Sequence, residues 1–208
     1  MVRTAAALLL LTTVLPVWAS DSADIRSSRV QGVVRDAAGQ PVAGVSVSFQ
    51  WRFDAKGATP LFDEAVTDKE GRFSVAVVFP LGKRPVALLA LDRDRKRGSL
   101  VEAYSGRPVE MTLEPLRTVT ATLVGTETGE KVSAEIAVYS GEAKPRFAWI
   151  LAPKGDVRVA LPSGDMWYGV KSDGRVEVRA LLNLESADTP YAIGSIPLDP
   201  VGSDFSGN

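Results

Sequence analysis

Strict alternation of apolar and polar residues in the first third of the chain determines what that part can fold into. Val45, Val47 and Phe49 are separated by polar residues, which is the period-two pattern of a β-strand with one buried face. A second alternating run begins at Phe73, directly after a polar turn that closes with Gly71. The pattern therefore predicts antiparallel β-hairpins that bury one face, with Phe73 among the core residues.

The same stretch contains three phrases that resemble the carboxypeptidase-regulatory-like family. They are Gly-Val-Val-Arg-Asp at 32–36, Gly-Gln-Pro-Val-Ala-Gly at 39–44 and Thr-Asp-Lys-Glu-Gly-Arg-Phe at 67–73. Residues 30–79 match nearly all of that family's pattern. The resemblance implies a transthyretin-like antiparallel β-sandwich, which that family uses in secreted and envelope proteins as an accessory module without an active site of its own.

The second half of the chain repeats this pattern in outline. An alternating run starts at Val119, and Glu-Thr-Gly-Glu-Lys-Val at 127–132 stands where residues 37–42 stood in the first copy. The second copy differs from the first where Lys131 takes the place of proline. Its apolar residues around Val138 are also shifted by one position from the expected alternation, which predicts a β-bulge there.

We therefore predict an all-β fold of tandem antiparallel β-sandwiches of the transthyretin-like, or prealbumin-like, type. The arrangement also resembles the non-catalytic front half of planctomycete-type envelope proteins. The predicted segments are a signal peptide at 1–19, a flexible leader at 20–28, the carboxypeptidase-regulatory-like sandwich at 29–115, the divergent sandwich at 116–200 and a disordered tail at 201–208.

Two apolar segments predict further core residues of the first sandwich. Trp51 and Phe53 keep the parity of Phe49, so we expect them to point inward or to the rim of the core, before the chain runs into a loop. The run Val86–Leu91 has no polar residue. It is compatible with a strand that is covered on both faces.

The N-terminus has the features of a secretory signal peptide. Arg3 precedes an apolar run at 5–15, Pro16 interrupts it, and Val17 and Ala19 fit the cleavage subsites. A membrane anchor is the alternative, but the run is shorter than the roughly 20 residues that span a bilayer. We expect export to the periplasm or the extracellular space, without membrane insertion after cleavage.

The amino-acid composition excludes several classes of partner and active site. The chain has 24 basic and 25 acidic residues, so its charge balance does not indicate nucleic acid as a partner. It has no cysteine and no histidine, which excludes disulfides, thiol catalysis, Cys/His zinc sites, serine-histidine triads and attachment of a lipoprotein lipid. We expect no cofactor.

These features favour a secreted, non-catalytic binding or structural module whose partner is an envelope protein or a carbohydrate. The alternative is a hydrolase that acts on polysaccharide through an unidentified pair of carboxylates. Calcium binding near Asp63 and Asp68 is a weaker hypothesis, since ordinary turn polarity explains these residues and no EF-hand spacing is present.

Parity selects one tryptophan as a candidate ligand-binding residue. Trp51 and Trp149 have neighbours that favour the core. Trp167 lies between Met166 and Tyr168, which we expect to point inward, so its indole should point outward and could stack on a sugar ring or a partner's apolar patch. Packing against the other sandwich, or a parity slip of one residue, remains an alternative.

The exported protein should begin at Ser20, because the small residue Ala19 precedes it and Pro16 ends the apolar run. Intact-mass spectrometry of the exported protein measures this. Recovery of a chain that retains Met1 in the membrane fraction would contradict the predicted localisation.

Overall fold

A computed structural model describes residues 26–79, 84–141, 145–185 and 190–201. Every regular element that it describes is a strand, which confirms the all-β fold. The strands are β1 (Arg26–Arg35), β2 (Ser46–Ser48), β3 (Trp51–Asp54), β4 (Gly57–Pro60), β5 (Ala65–Val66), β6 (Arg72–Phe79), β7 (Val86–Leu91), β8 (Arg97–Ala103), β9 (Val109–Thr112), β10 (Glu114–Pro115), β11 (Arg117–Gly125), β12 (Ala134–Ser140), β13 (Arg146–Ala152), β14 (Asp156–Leu161), β15 (Gly164–Lys171), β16 (Val178–Leu184) and β17 (Tyr191–Leu198).

These strands form four sheets that pack as two sandwiches. The first sandwich combines the order β6-β1-β9 with the order β10-β8-β7-β2-β5. The second combines β14-β11-β17 with a six-stranded sheet of order β16-β15-β12-β13-β3-β4. Apolar residues that alternate along each strand fill the space between the sheets, as one-sided burial requires.

The two sandwiches share a local arrangement. β1 pairs antiparallel with β6 and parallel with β9, and β11 pairs in the same way with β14 and β17. In the first sandwich, Val34 N donates to Gly71 O at 2.8 Å. In the second, Leu123 N donates to Gly155 O at the same distance. Both glycines have positive φ, 72° and 75°, which explains why each turn needs glycine.

Phe73 lies where its parity predicts, in the core of the first sandwich. It is 5% exposed, and Val75 and Val77 on the same strand are buried with it. Its ring covers Gly32 on the paired strand so closely that a Cβ at Gly32 would come within 2.7 Å of the ring carbon Cε1. A glycine opposite the phenylalanine thus makes room for the ring.

The hairpin β3-β4 is the main departure from the predicted organisation. Residues 51–60 fall inside the range predicted for the first sandwich, and a loop was expected to follow Phe53. Instead, β3 pairs in parallel with β13 and extends the six-stranded sheet of the second sandwich. Trp51 and Phe53 are buried as their parity predicts, but in the core that belongs to the second sandwich. Strand pairing between distant segments, which parity does not encode, decides this placement.

β7 lies between the two cores. All six of its residues are buried, which confirms that both faces of the strand are covered. Val86, Leu88 and Ala90 belong to the core of the first sandwich, and the alternate residues belong to that of the second. Trp51 packs against β7, and its indole Nε1 donates a hydrogen bond to the carbonyl oxygen of Leu89 at 3.2 Å.

A bulge occurs at the predicted level, near Val138, but it lies on the paired strand β13, since Ala134, Ile136 and Val138 on β12 all point into the core. The register between β12 and β13 shifts between Val138 and Tyr139, so that Phe147 is the extra residue on β13. Phe147 and Ala148 are consecutive, yet both are fully buried. The shift therefore reverses the parity of the residues that follow on β13.

The predicted signal peptide at 1–19, most of the leader at 20–28 and all but Val201 of the predicted tail lie outside the described residues. Within the described part of the chain, no helix has the length and apolar character needed to cross a membrane.

Replacing Phe73 with alanine should destabilise the protein by about 3–5 kcal/mol, because it removes a buried ring and leaves a cavity over Gly32. Phe62→Ala is a suitable control, since Phe62 is 54% exposed and its main ring contact is a stack on Phe49 at 4.8 Å. That change should cost roughly 0.5–1.5 kcal/mol. Urea denaturation measures the free energy of unfolding of both variants. Equal losses of that free energy would contradict the core assignment of Phe73.

Candidate ligand-binding face of the six-stranded sheet

The outer face of the six-stranded sheet carries a group of large side chains on its central strands. Along β12, Ile136 and Val138 point into the core, so Ala137 and Tyr139 belong to the outer face. Along β15, Met166 and Val170 are fully buried, and the alternate residues Trp167, Gly169 and Lys171 belong to the outer face.

Strand register places these residues in rows across the sheet. Tyr139 on β12 pairs with Trp167 on β15, which pairs with Leu181 on β16. Directly opposite residues on one face have Cβ atoms about 4.5–5.5 Å apart, so the two aromatic rings are neighbours. Leu181 extends this row with a side chain that is 54% exposed.

The next row has small side chains at its centre and large ones at its ends. Ala137 pairs with Gly169, so two of the smallest residues lie side by side. Trp149 on β13 flanks Ala137, and Arg179 on β16 flanks Gly169. Both small residues are buried beneath their larger neighbours.

A cleft of about 250 Å³ opens beside these residues. Tyr139, Trp167, Tyr168 and Arg179 line it. Trp167 and Tyr139 are half-buried, so the body of each ring is supported by the sheet while part of it faces the cleft. Aromatic surface with a few polar groups is the usual lining of a small-molecule site.

An ion pair lies over Gly169. Arg179 Nε donates to Glu177 Oε1 at 2.8 Å, and a Cβ on Gly169 would lie 3.2 Å from that oxygen. The hydrogen bond from Arg179 is the main reason that the pKa of Glu177 is lowered from its usual 4.5. At neutral pH the pair therefore presents an ionised carboxylate and a guanidinium group to the outer face.

Trp149 is held by a second arginine. The guanidinium carbon of Arg146 lies 4.3 Å from the centre of the Trp149 ring, within the range of a cation–π contact. The Arg146 Nε atom is buried and has no hydrogen-bond partner among the described residues. The contact fixes the indole at the border of the face.

A second cleft, of about 340 Å³, lies at the other end of the same two strands. Glu135 on β12 and Lys171 on β15 line it, together with Leu151 and polar residues of the adjoining loops. Ser172 Oγ donates to Ser133 O at 2.6 Å and ties those loops together. This cleft is polar where the first is aromatic.

The structure agrees with sequence parity for Trp167 and disagrees for Trp149. Trp167 lies on the outer face, with Met166 buried on the core side and Tyr168 half-buried against the core. The prediction that Trp149 is a core residue is wrong, because the bulge at Phe147 places its side chain on the outer face. Whether Trp167 binds a ligand stays a prediction.

Sequence reasoning missed Tyr139 and Arg179. Tyr139 keeps the outward parity of Ala137 along β12, but alternation alone does not show that it neighbours Trp167 on β15. Arg179 lies on an edge strand where charged residues are common. Only the register of β12, β15 and β16 brings the two together with Trp167.

The acidic residues considered for calcium have other roles. Asp63 Oδ2 accepts a hydrogen bond from Ala76 N at 2.8 Å, and Asp68 Oδ1 accepts one from Arg72 N at 2.8 Å. These carboxylates cap backbone donors on the free edge of β6. No cluster of three or more potential metal ligands occurs in the described ranges.

Comparisons with known proteins give only distant matches. No family model matches the chain, and no curated protein does. Solved structures that it resembles include the Bacillus anthracis TIE protein, at 15% identity over 84% of this chain and 34% of that one, with a TM-score of 0.38. A streptococcal ancillary pilin matches at 14% identity over 87% and 63%, with a TM-score of 0.35. The shaft pilin SpaA from Lactobacillus rhamnosus GG matches at 9% identity over 85% of this chain and 99% of that one, with a TM-score of 0.35.

The chain thus spans about a third of the length of the TIE protein chain and 63% of the ancillary pilin. Likeness at this level gives no information about a ligand of this chain.

Arg179→Gln should raise the pKa of Glu177 back towards its usual 4.5, because the hydrogen bond and the positive charge of Arg179 hold it down. In the wild type, the stabilising contact is complete above the ordinary glutamate pKa and is lost as the pH falls through the lowered value. NMR titration of the side-chain carboxyl carbons measures the shift. Glu127 is the internal control, since Arg175 lowers its pKa to about 2 and is untouched by the substitution.

Proposed function

We propose that this chain is an exported, non-catalytic binding module that holds a neutral carbohydrate of the cell envelope on the outer face of its six-stranded sheet. The observation that carries the proposal is the pairing of Tyr139 with Trp167 beside Arg179 around one cleft. The same surface could serve a protein partner, and the experiment below tests the carbohydrate.

A flat aromatic surface suits a sugar ring. A pyranose presents C–H groups on its faces and hydroxyl groups around its rim, so it needs a flat apolar contact together with hydrogen-bond donors and acceptors at the edge. Trp167 and Tyr139 supply the flat contact. Arg179 supplies donors, and the hydroxyl of Tyr139 can donate or accept.

Charge on the face favours a neutral ligand. Lys171, Arg179 and Arg146 contribute three positive charges, and Glu135, Glu177 and Asp165 contribute three negative ones. These groups lie on or beside β12 and β15 and balance one another. A strongly anionic polymer would meet as much repulsion as attraction, whereas hydroxyl groups can bond to either sign.

The alternative, a polysaccharide hydrolase, needs one carboxyl group with a raised pKa near a second carboxylate. Beside the cleft, Arg179 lowers the pKa of Glu177, which is the opposite of what a general acid requires. Asp165, on the same strand as Trp167, accepts a hydrogen bond from Asn183 Nδ2 at 2.6 Å. The lowered pKa of Glu177 favours binding rather than catalysis.

The proposal includes an origin for the two sandwiches as copies of one carboxypeptidase-regulatory-like unit. It is supported by the equivalent glycine turns at Gly71 and Gly155 and by the parallel roles of β1 and β11 in their sheets. Kinship with planctomycete-type envelope proteins, periplasmic or extracellular localisation and cleavage before Ser20 are further parts of the proposal, and they rest on the sequence.

Trp167→Ala should weaken binding to neutral polysaccharide by at least about tenfold, because truncation of an aromatic residue at the centre of a binding surface commonly costs more than 1.4 kcal/mol. Affinity electrophoresis in gels that contain hydroxyethylcellulose, galactomannan or dextran measures retardation of the protein. Retardation by at least one of them is expected for the wild type.

Tyr104→Ala is the matched control. Tyr104 is 40% exposed, and the Arg107 guanidinium lies 5.7 Å from its ring centre, so it is a comparable aromatic and arginine pair on the first sandwich. This variant should be retarded like the wild type. Equal retardation of the Trp167 variant would exclude the site, and no retardation of the wild type in any gel would contradict carbohydrate binding.

A further inference from the structure

Another cleft, of about 140 Å³, lies at the junction of the two sandwiches. The β3-β4 hairpin, the turn between β7 and β8, and β14 contribute to its lining. Two of the lining residues are Arg95, on that turn, and Arg158, on β14. The cleft shares no lining residue with the two clefts of the outer face, so it is a separate site.

The two arginines bring positive charge to the cleft that no described residue neutralises. Neither Arg95 nor Arg158 forms a hydrogen bond or an ion pair within the described part of the chain. The acidic residue that lines the cleft, Asp54, already has partners for both oxygens. Its Oδ1 accepts from Lys56 N at 2.8 Å, and its Oδ2 lies 3.8 Å from Arg52 Nε.

The neighbouring sequence has the same sign of charge. Residues 92–97 contain four basic and two acidic residues, and residues 52–56 contain two basic and one acidic. The two segments that flank the cleft therefore have a combined net charge of +3, although the whole chain has a net charge of −1. Positive charge concentrated at a cleft favours an anionic ligand.

The free edge of β14 adds backbone donors. Gly155 bonds to β11 through its carbonyl oxygen, and in an antiparallel pair every second residue after it bonds in the same direction. The amides of Arg158 and Ala160 therefore point away from β11. Both residues line the cleft and no residue of β11 does, so the cleft lies on the side to which these amides point.

The first sandwich has a carboxylate of its own at the equivalent place. β6 has the position in its sheet that β14 has in the other, and Gly71 and Gly155 precede the two strands. Ala76, five residues after Gly71, donates from its amide to Asp63 Oδ2 at 2.8 Å. Ala160 stands five residues after Gly155, and no described carboxylate accepts from its amide. The second sandwich has a cleft with two arginines where the first has an aspartate.

We propose that this cleft binds the carboxylate group of a ligand, which accepts hydrogen bonds from Ala160 N and from the guanidinium groups of Arg95 and Arg158. A planar carboxylate matches the paired N–H donors of a guanidinium group, and hydrogen bonds between ions are stronger than neutral ones. The volume equals that of between four and five water molecules, at about 30 Å³ each, so the cleft holds the carboxylate and the atoms next to it.

Arg95 has a backbone conformation that allows a clean test. Its φ is 53°, in the left-handed region that glycine adopts most readily. A Cβ on Gly57 would collide with Arg95 Nη1, so the guanidinium group packs directly on the β3-β4 turn. Arg95→Gly therefore removes the charge from the cleft and relieves the backbone at the same time.

NMR titration of the full chain at constant ionic strength tests the site. The probes are acetate, D-glucuronate and, as the neutral counterpart, D-glucose. Acetate and glucuronate should shift the amide resonances of Arg158 and Ala160 in a saturable way, and glucose should not. Equal affinities assign binding to the carboxylate alone, whereas tighter binding of glucuronate indicates that the attached sugar also contacts the cleft. Resonances of Trp167 report the outer face separately, so failure here leaves the proposed function untouched.

Arg95→Gly and Arg158→Gln should each weaken acetate binding at least about fivefold, because each removes a charged hydrogen-bond donor. Arg93→Gln is the matched control, since it removes the same charge from the same turn and Arg93 does not line the cleft. It should bind acetate like the wild type. If circular dichroism shows that Arg158→Gln does not fold, Arg95→Gly decides the outcome.

Three results would overturn the proposal. The first is that acetate produces no saturable shift of the Arg158 and Ala160 amides. The second is that glucose shifts these amides as glucuronate does, since the carboxylate would then have no role. The third is an equal loss of affinity in the Arg93 and Arg95 variants, which would mean that diffuse positive charge attracts the anion and that the cleft does not hold it.

Discussion

Parallel pairing of β3 with β13 is the interaction on which the rest of the structure depends. It carries Trp51 and Phe53 from the first sandwich into the core of the second and adds two strands to its larger sheet. Without it, one edge of β13 would present unpaired backbone groups, and the second face of β7 would lose the cover of Trp51. The two sandwiches therefore share buried surface and are coupled through one hairpin.

This coupling also supports the candidate site. β13 is held on one side by β3 and on the other by β12, so the strand that carries Trp149 is central rather than at an edge. The bulge beside Val138 then turns Trp149 outward, against the guanidinium group of Arg146. A rigid, centrally placed sheet is a better support for a stacking surface than loops are, because the rings keep their spacing when the ligand is absent.

The glycine turns of the two sandwiches have the same geometry although a neighbouring residue differs. Lys131 stands in the second sandwich where Pro41 stands in the first, and the backbone hydrogen bonds around Gly71 and Gly155 are equivalent. Lys131 Nζ also bonds to the carboxylate of Asp156 at 2.7 Å. An exposed ion pair of this kind contributes about 0–1 kcal/mol, so it accompanies the turn rather than creating it. Glycine with positive φ is the feature that both turns share.

Alternation along the chain was enough to determine the all-β fold, the burial of Phe73, the coverage of β7 on both faces and the outward side of Trp167. These properties are local, since side chains alternate along any extended strand. The partner of β3, the face of Trp149 and the meeting of Tyr139, Trp167 and Arg179 were decided only by the tertiary structure. They depend on which distant strands pair and in which register, and a single bulged residue reverses the parity from which the sequence is interpreted.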